Sequence, residues 1–337
     1  MAGTVTFPVR APQWVLNYQG VNITANISRM VRTITYQDCL SGAAGELAVE
    51  LEDHEKLWQG SWQSSEGDLV NLMIGYAGEP LLPCGDFQVD DLSLSGPPDV
   101  FHLRCLAAYI TPAMRTHSSV GYEAQTLMQI ASTIAAKYGL TMIAASGAPS
   151  LTFARITQRQ ETDLAFLRRL ARAYNYEFTI RGKQIIFYSR GALEAAASVA
   201  TIARHDLLRF AFRLKTHCIY MASQVSYQFP ENKQLLTKNV MAVPATPTGD
   251  TLKLTVPCEN GQQASLQAAS ALHGANMVRT TASITAPGEI IYTAGNNLTI
   301  SGFGFNDGKY LIESARHRLE RATGYTTEFE ARRVDEQ

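Results

Sequence analysis

Cysteine is scarce and unorganised in this 337-residue sequence. Cys39, Cys84, Cys105, Cys218 and Cys258 are odd in number, widely spaced and never form Cys-x-x-Cys. Neither a disulfide framework nor a zinc site fits that pattern, so free thiols in a reducing cytoplasm are the expectation. No run of about 18 apolar residues occurs, which argues against stable membrane insertion. Met1 to Pro8 holds neither a basic nor an apolar stretch of the kind a secretory leader needs. An excess of one charge is lacking too. The formal net charge of -1 gives no electrostatic reason to expect nucleic acid as the main partner. Motifs of hydrolytic and nucleotide chemistry are absent: no Gly-x-Ser-x-Gly, His-Glu-x-x-His or P-loop. The neighbours Asp53-His54, His205-Asp206 and His217-Cys218 are read on strands, where adjacent side chains point to opposite faces and do not cooperate. No catalytic, cofactor-binding or metal-ligating residue is therefore assigned.

What is present is an ordered globular chain, with 46% hydrophobic and 18% charged residues. Its length calls for two to four domains. Residues 1–108 read as β. Trp14 to Tyr18 leads through a Gln19-Gly20 turn into Val21 to Thr24, and Met30 to Asp38 is rich in β-branched residues. Gly42 and Gly45 break that strand. In Glu46 to Glu52 the residues Leu47, Val49 and Leu51 alternate with Glu46, Glu50 and Glu52, a half-buried strand by its period of two. Residues 109–203 change period. Leu127, Ile130, Ala131 and Ile134 mark a helix over Tyr122 to Tyr138, ended by Gly139. Leu164, Leu167, Leu170 and Tyr174 mark a second helix, with Thr162 as its N-cap. Glu177 to Ile180 and Gln184 to Tyr188 flank an Arg181-Gly182 turn. From 204 the chain returns to β through Phe229. Pro230 to Gly249 reads as a loop, and Gln263 to Asn276 as a helix.

One pattern occurs twice. Gly67 opens a strand, and Gly85 is followed by Phe87, Val89 and Asp90; Gly295 opens a strand, and Gly308 is followed by Tyr310, Ile312 and Glu313. An aromatic, an aliphatic and an acid thus hold matching places after the second glycine. A third turn follows at Gly96 in one copy and, later, at Gly324 in the other. Two equivalent modules differing at one loop are expected.

Several motifs resemble one family. Val15 to Thr24, Thr35-Tyr36-Gln37-Asp38, Gly45 to Asp53, Cys84 to Asp91 and Ser95 to Asp99 are similar, in order, to the bacteriophage late control D, or contractile tail baseplate hub, proteins. So are Gln160 to Ala171, Ser301-Gly302-Phe303, Asp307 to Ile312 and His317 to Thr327. The resemblance runs from about 12 to 334 and extends to the hub part of the type VI secretion spike protein. It implies an α+β, mostly β fold: two tail-tube-like β-barrel or sandwich modules and an inserted small α/β domain. The expected boundaries are 1–108 for the first module, 109–203 for the small domain, 204–230 with 282–337 for the second module, and 231–281 for an inserted loop and helix. It also implies a virion or tail-like particle assembled in the bacterial cytoplasm, and a homotrimer joining a hexameric tail tube to a trimeric central spike. Tape measure and baseplate wedge proteins are the implied neighbours, with DNA only as passing cargo. No spike follows Val334, so the spike is expected on a separate polypeptide. A carbohydrate-binding or tail-fibre module, and a baseplate peptidoglycan hydrolase, are the alternatives.

The candidate interface or lumen residues are few. Glu46, Glu50 and Glu52 line one strand face, suited to a solvated surface or to a channel that repels DNA. Arg168, Arg169 and Arg172 form a basic stripe on the second helix, suited to docking. Asp90 and Glu313 are the corresponding acids of the two repeats. Trp58 and Trp62 are assigned to the core.

Overall fold

The computed structural model describes residues 10–41, 45–109, 112–144, 151–228, 235–242 and 249–334. Strand accounts for 53% and helix for 19%, an α+β architecture dominated by β. The break read at Gly42 lies outside the described residues.

The first module holds β1 (Pro12–Tyr18), β2 (Val21–Asn22), the short α1 (Thr24–Ile27), β3 (Val31–Cys39), β4 (Glu46–Glu52), β5 (Leu69–Tyr76), β6 (Leu82–Ser95) and β7 (Val100–Ala107). Gln19 and Gly20 both have positive φ, which a two-residue hairpin between twisted strands requires. Leu47, Val49 and Leu51 point into a core with Leu16, Ile34, Leu72, Phe87 and Leu103. Trp58 joins that core, stacked on Phe101 at 5.2 Å and edge-on to Trp62 at 5.7 Å.

The small α/β unit follows: β8 (His117–Thr126), α2 (Leu127–Lys137), β9 (Thr141–Ala144), β10 (Thr152–Thr162), α3 (Asp163–Ala173), β11 (Tyr176–Arg181), β12 (Gln184–Ser189) and α4 (Arg190–Ala195). Its first long helix begins later than the sequence pattern implied. Thr126 and Gln129 exchange side-chain and main-chain bonds in a capping box, so the helix starts at Leu127. Tyr122 to Thr126 instead pair with β10. Thr162 caps α3 as expected, accepting from the Ala165 N–H at 3.1 Å.

The rest of the chain comprises β13 (Ser198–Ala203), β14 (Arg209–Leu214), β15 (Ala222–Gln228), β16 (Leu235–Met241), β17 (Thr251–Thr255), α5 (Gly261–Asn276), β18 (Thr280–Pro287), β19 (Asn297–Ser301), β20 (Gly308–Glu320) and β21 (Gly324–Arg333). Two sequence readings change here. Leu235 to Met241, read as loop, form β16; the stretch shows no alternation because main-chain pairing to β15, not a buried face, holds it. β15 does not continue β14 in one sheet but centres a separate three-stranded sheet with β16 and β17, packed on α5. β13, in turn, pairs with β19 of the second module.

A single 13-stranded sheet runs through both modules. In the first, the strand order is β1-β5-β6-β7-β4-β3; in the second it is β13-β19-β20-β21-β18-β14. Both orders place the module's strands in the same sequence of first, fourth, fifth, sixth, third, second. The one difference in sense is that β1 runs antiparallel to β5 whereas β13 runs parallel to β19. No closed barrel forms among the described residues. The two halves are open sheets fused edge to edge, β20 to β3.

Candidate assembly interface

The repeated motif occupies the same structural positions twice. Gly67 (φ 86°) and Gly295 (φ 96°) both need the left-handed conformation that glycine adopts freely. Their N–H groups donate to Val89 at 2.8 Å and to Ile312 at 2.9 Å, respectively. Asp90 and Glu313 are each the extra residue of a β-bulge, between Val89 and Asp91 and between Ile312 and Ser314. Phe87 and Tyr310, matching aromatics, each pack against an aromatic three strands away: Tyr36 at 5.9 Å and Phe212 at 6.1 Å.

Beyond its bulge β20 pairs with β3, from Ser314 opposite Cys39 to Glu320 opposite Thr33. On the core side of this joint Ile34, Tyr36, Ala315, His317 and Leu319 are buried. The His317 ring stacks on Tyr36 at 5.9 Å, and its Nδ1 lies 2.8 Å from the Tyr325 hydroxyl. Burial pushes the imidazole down to about 4, so it is neutral at physiological pH. The opposite face forms an open hollow of about 610 Å³ with mixed charge, Glu46, Glu50, Glu328 and Glu330 against Arg316 and Arg318.

Each of the predicted acids on β4 meets a basic side chain. The Arg104 guanidinium donates to Glu46. Glu50 lies 4.0 Å from His102, and Glu52 lies 3.1 Å from Arg321 and 3.6 Å from His54. The three arginines of α3 do not form one solvated stripe. Arg169 is held by Glu161 at 2.6 Å, Arg168 is half-buried, and Arg172 faces the hollow that Glu177, Arg190 and α5 line. Burial and the nearby Arg172 both push the Arg168 pKa down. Asp90 and Glu313 share a backbone position but not an environment. Asp90 is exposed, whereas Glu313 is half-buried with its Oε1 3.1 Å from Arg332 Nε. Burial raises the Glu313 pKa, and Arg332 opposes the rise. His205 does reach its neighbour Asp206, at 3.4 Å, because residues Arg204–Asp206 form a 3-10 turn and not the strand read from sequence.

Charged groups missed in the sequence reading tie the parts together. Arg190 donates to Glu177 at 2.5 Å, and Glu194 meets Arg332 at 2.7 Å and His273 at 2.8 Å. Arg181 of the β11–β12 hairpin reaches Asp38 of β3 at 3.0 Å, and Asp38 also accepts from the Ala294 N–H at 2.9 Å. The one available signal was parity: Asp38 falls in the inward-facing register of Ile34 and Tyr36, where an acid needs partners.

No family model matches the sequence. A probable baseplate hub protein of Escherichia phage 186 is 27% identical over 214 residues, covering 62% of this chain and 54% of that protein. The chain thus spans about half the length of the curated relatives it matches. Among solved structures, a tail protein from Neisseria meningitidis MC58 is similar with a TM-score of 0.73 at 13% identity, over 96% of each chain. The c3393 protein of E. coli, a component of the type VI secretion system, is similar with a TM-score of 0.60 at 11% identity, over 95% of this chain and 77% of that one. The structural likenesses are of fold. The resemblance to baseplate hub proteins read from the motifs agrees with the curated relatives, which carry that name.

Proposed function

We propose that the chain is a structural hub of a contractile phage-tail-like baseplate, a homotrimeric adapter between a hexameric tail tube and a trimeric central spike. The doubled module carries this reading: one chain holds two six-strand units of the same strand order, already joined edge to edge. A sixfold tube and a threefold spike differ in symmetry, and a closed ring of three chains with two like modules each presents six positions to one and three to the other. The relatives named as baseplate hub proteins support the baseplate setting. On this reading the polar face with Glu46, Glu50 and Glu52 lines the passage, DNA is cargo only, and tape measure and wedge proteins adjoin. Asp90, Glu313 and the arginines of α3 lie toward neighbouring subunits. A hydrolytic or sugar-binding role gains no such support, because the acids of β4 each face a basic side chain instead of each other.

Electron microscopy of tail-like particles carrying a tagged chain tests the reading. Three tags per particle are expected at the tube end that bears the spike. Tags along the tube, or on peripheral fibres, would contradict it.

A further inference from the structure

The small α/β unit is itself built from two like halves, and the halves differ in charge at one place. α2 and α3 are both 11 residues long, capped by the side chains of Thr126 and Thr162. Ala124 and Gln160, two residues before those caps, both have positive φ, as do Gly139 and Asn175 just after the helices. Ile130, Ala131, Ile134 and Ala135 are buried on α2, and their counterparts Phe166, Leu167, Leu170 and Ala171 are buried on α3. β8 and β10 pair antiparallel about matching residues, with Gly121 opposite Thr157. Each strand–helix half therefore serves as an internal control for the other.

Ser119, Glu123 and Thr133 of the first half correspond to Arg155, Arg159 and Arg169 of the second. All three arginines line one hollow of about 1040 Å³, between β10, α3 and the segment that leads into α5. Phe153, Ile156, Leu170, Tyr174, Val256 and Pro257 give the hollow an apolar lining. Its two acids are already engaged. Glu161 meets Arg169 at 2.6 Å. Glu259 accepts from the Ala154 and Arg155 N–H groups, both at 2.8 Å, and from Gln263 Nε2 at 2.8 Å. Arg155 has only Glu123, at 3.8 Å with both side chains 69% exposed, and Arg159 makes no ion pair among the described residues. β10 bonds to no strand but β8, and on its other edge a carboxylate takes the place of a strand. The hollow thus joins uncompensated guanidinium charge to apolar surface, beside an edge that already accepts an acid.

We propose that this hollow docks an extended acidic segment of a partner protein, with its carboxylates on Arg155 and Arg159 and its apolar side chains on the lining. A strand of period two presents acids to one side and apolar groups to the other, which is the division the hollow offers. A nucleic acid would use the arginines but leave the aliphatic lining without a partner. The site stands on the small unit and α5, whatever the number of copies in the assembly.

The test titrates the full chain into a fluorescein-labelled peptide that alternates glutamate with leucine, read by fluorescence anisotropy. Saturable binding of one peptide per chain is expected, weakening as salt is raised. Arg155→Ser with Arg159→Glu gives the second half the residues of the first, and is expected to weaken binding at least about tenfold. Arg209→Glu with Arg213→Ser makes the same change of charge at exposed positions of β14, and is expected to leave binding unchanged. Circular dichroism checks that both pairs stay folded. If the first pair does not, Arg159→Gln alone is read, with weaker binding expected. A peptide alternating glutamate with serine is expected to bind at least about tenfold more weakly, because it cannot use the lining. No saturable binding, equal binding of a lysine–leucine peptide, or unchanged affinity in the groove variant overturns the site. Equal binding of the serine peptide removes the apolar lining from it. Displacement of the peptide by an equal concentration of single-stranded DNA makes it a nucleic-acid site and overturns the acidic segment.

Discussion

Single residues divide into those whose environment the sequence announces and those set by residues far along the chain. Leu47, Val49 and Leu51 were legible because alternation over seven residues leaves one face for the core. His317 was not. Its burial comes from β3, almost the whole chain away, and nothing local marks it as neutral. It makes stability depend on pH. The unfolded chain takes up this proton near pH 6.5, the folded chain only near pH 4, so the unfolded state binds more protons between those values. Its contribution is present above pH 6.5 and lost as pH falls toward 4, about 3 kcal/mol in all. Urea unfolding of the native chain and of His317→Gln across this range is expected to show the slope in the native chain and its loss in the variant. The Glu313 carboxyl, raised by burial, acts in the opposite sense and is common to both chains. Equal slopes in the two would remove His317 from the account.

At the scale of elements, helices and hairpins were legible wherever cap and period agreed, as at Thr162 and α3. They were misread where a strand borders a helix with apolar residues in both. Tyr122 fits the helical period as well as the strand, and only the Thr126–Gln129 capping box decides between them. β16 was illegible because an exposed edge strand needs no buried face. Close approach between elements is equally invisible in sequence. Gly288 lies where a Cβ would sit 2.2 Å from the Tyr325 ring, and its N–H donates to the Tyr325 carbonyl at 2.9 Å. The ring is itself packed on Tyr76 and His317, so it has little room to yield. Gly288→Ala is therefore expected to cost about 1–3 kcal/mol by overpacking, read as a lower urea midpoint. An unchanged midpoint would mean that the Tyr325 ring moves aside freely.

For the molecule as a whole, the duplication was legible in outline from Gly67, Gly85 and Asp90 against Gly295, Gly308 and Glu313. Those residues recur because a positive-φ turn and a bulge need them at fixed places on two copies of one sheet. The fusion of the copies through β20 and β3 was not legible, since strand pairing across such a separation leaves no local pattern. The same holds for the charged contacts of Arg181 with Asp38 and of Glu194 with Arg332, which lock the small unit and α4 to the modules. The sheet that results carries two like modules joined through β20 and β3. On the proposed adapter reading three such chains close into a ring. The mass of the purified assembly, measured by mass photometry, tests this most directly. The account predicts one closed species of three chains; a persistent monomer, or an open ladder of ever larger species, would contradict it.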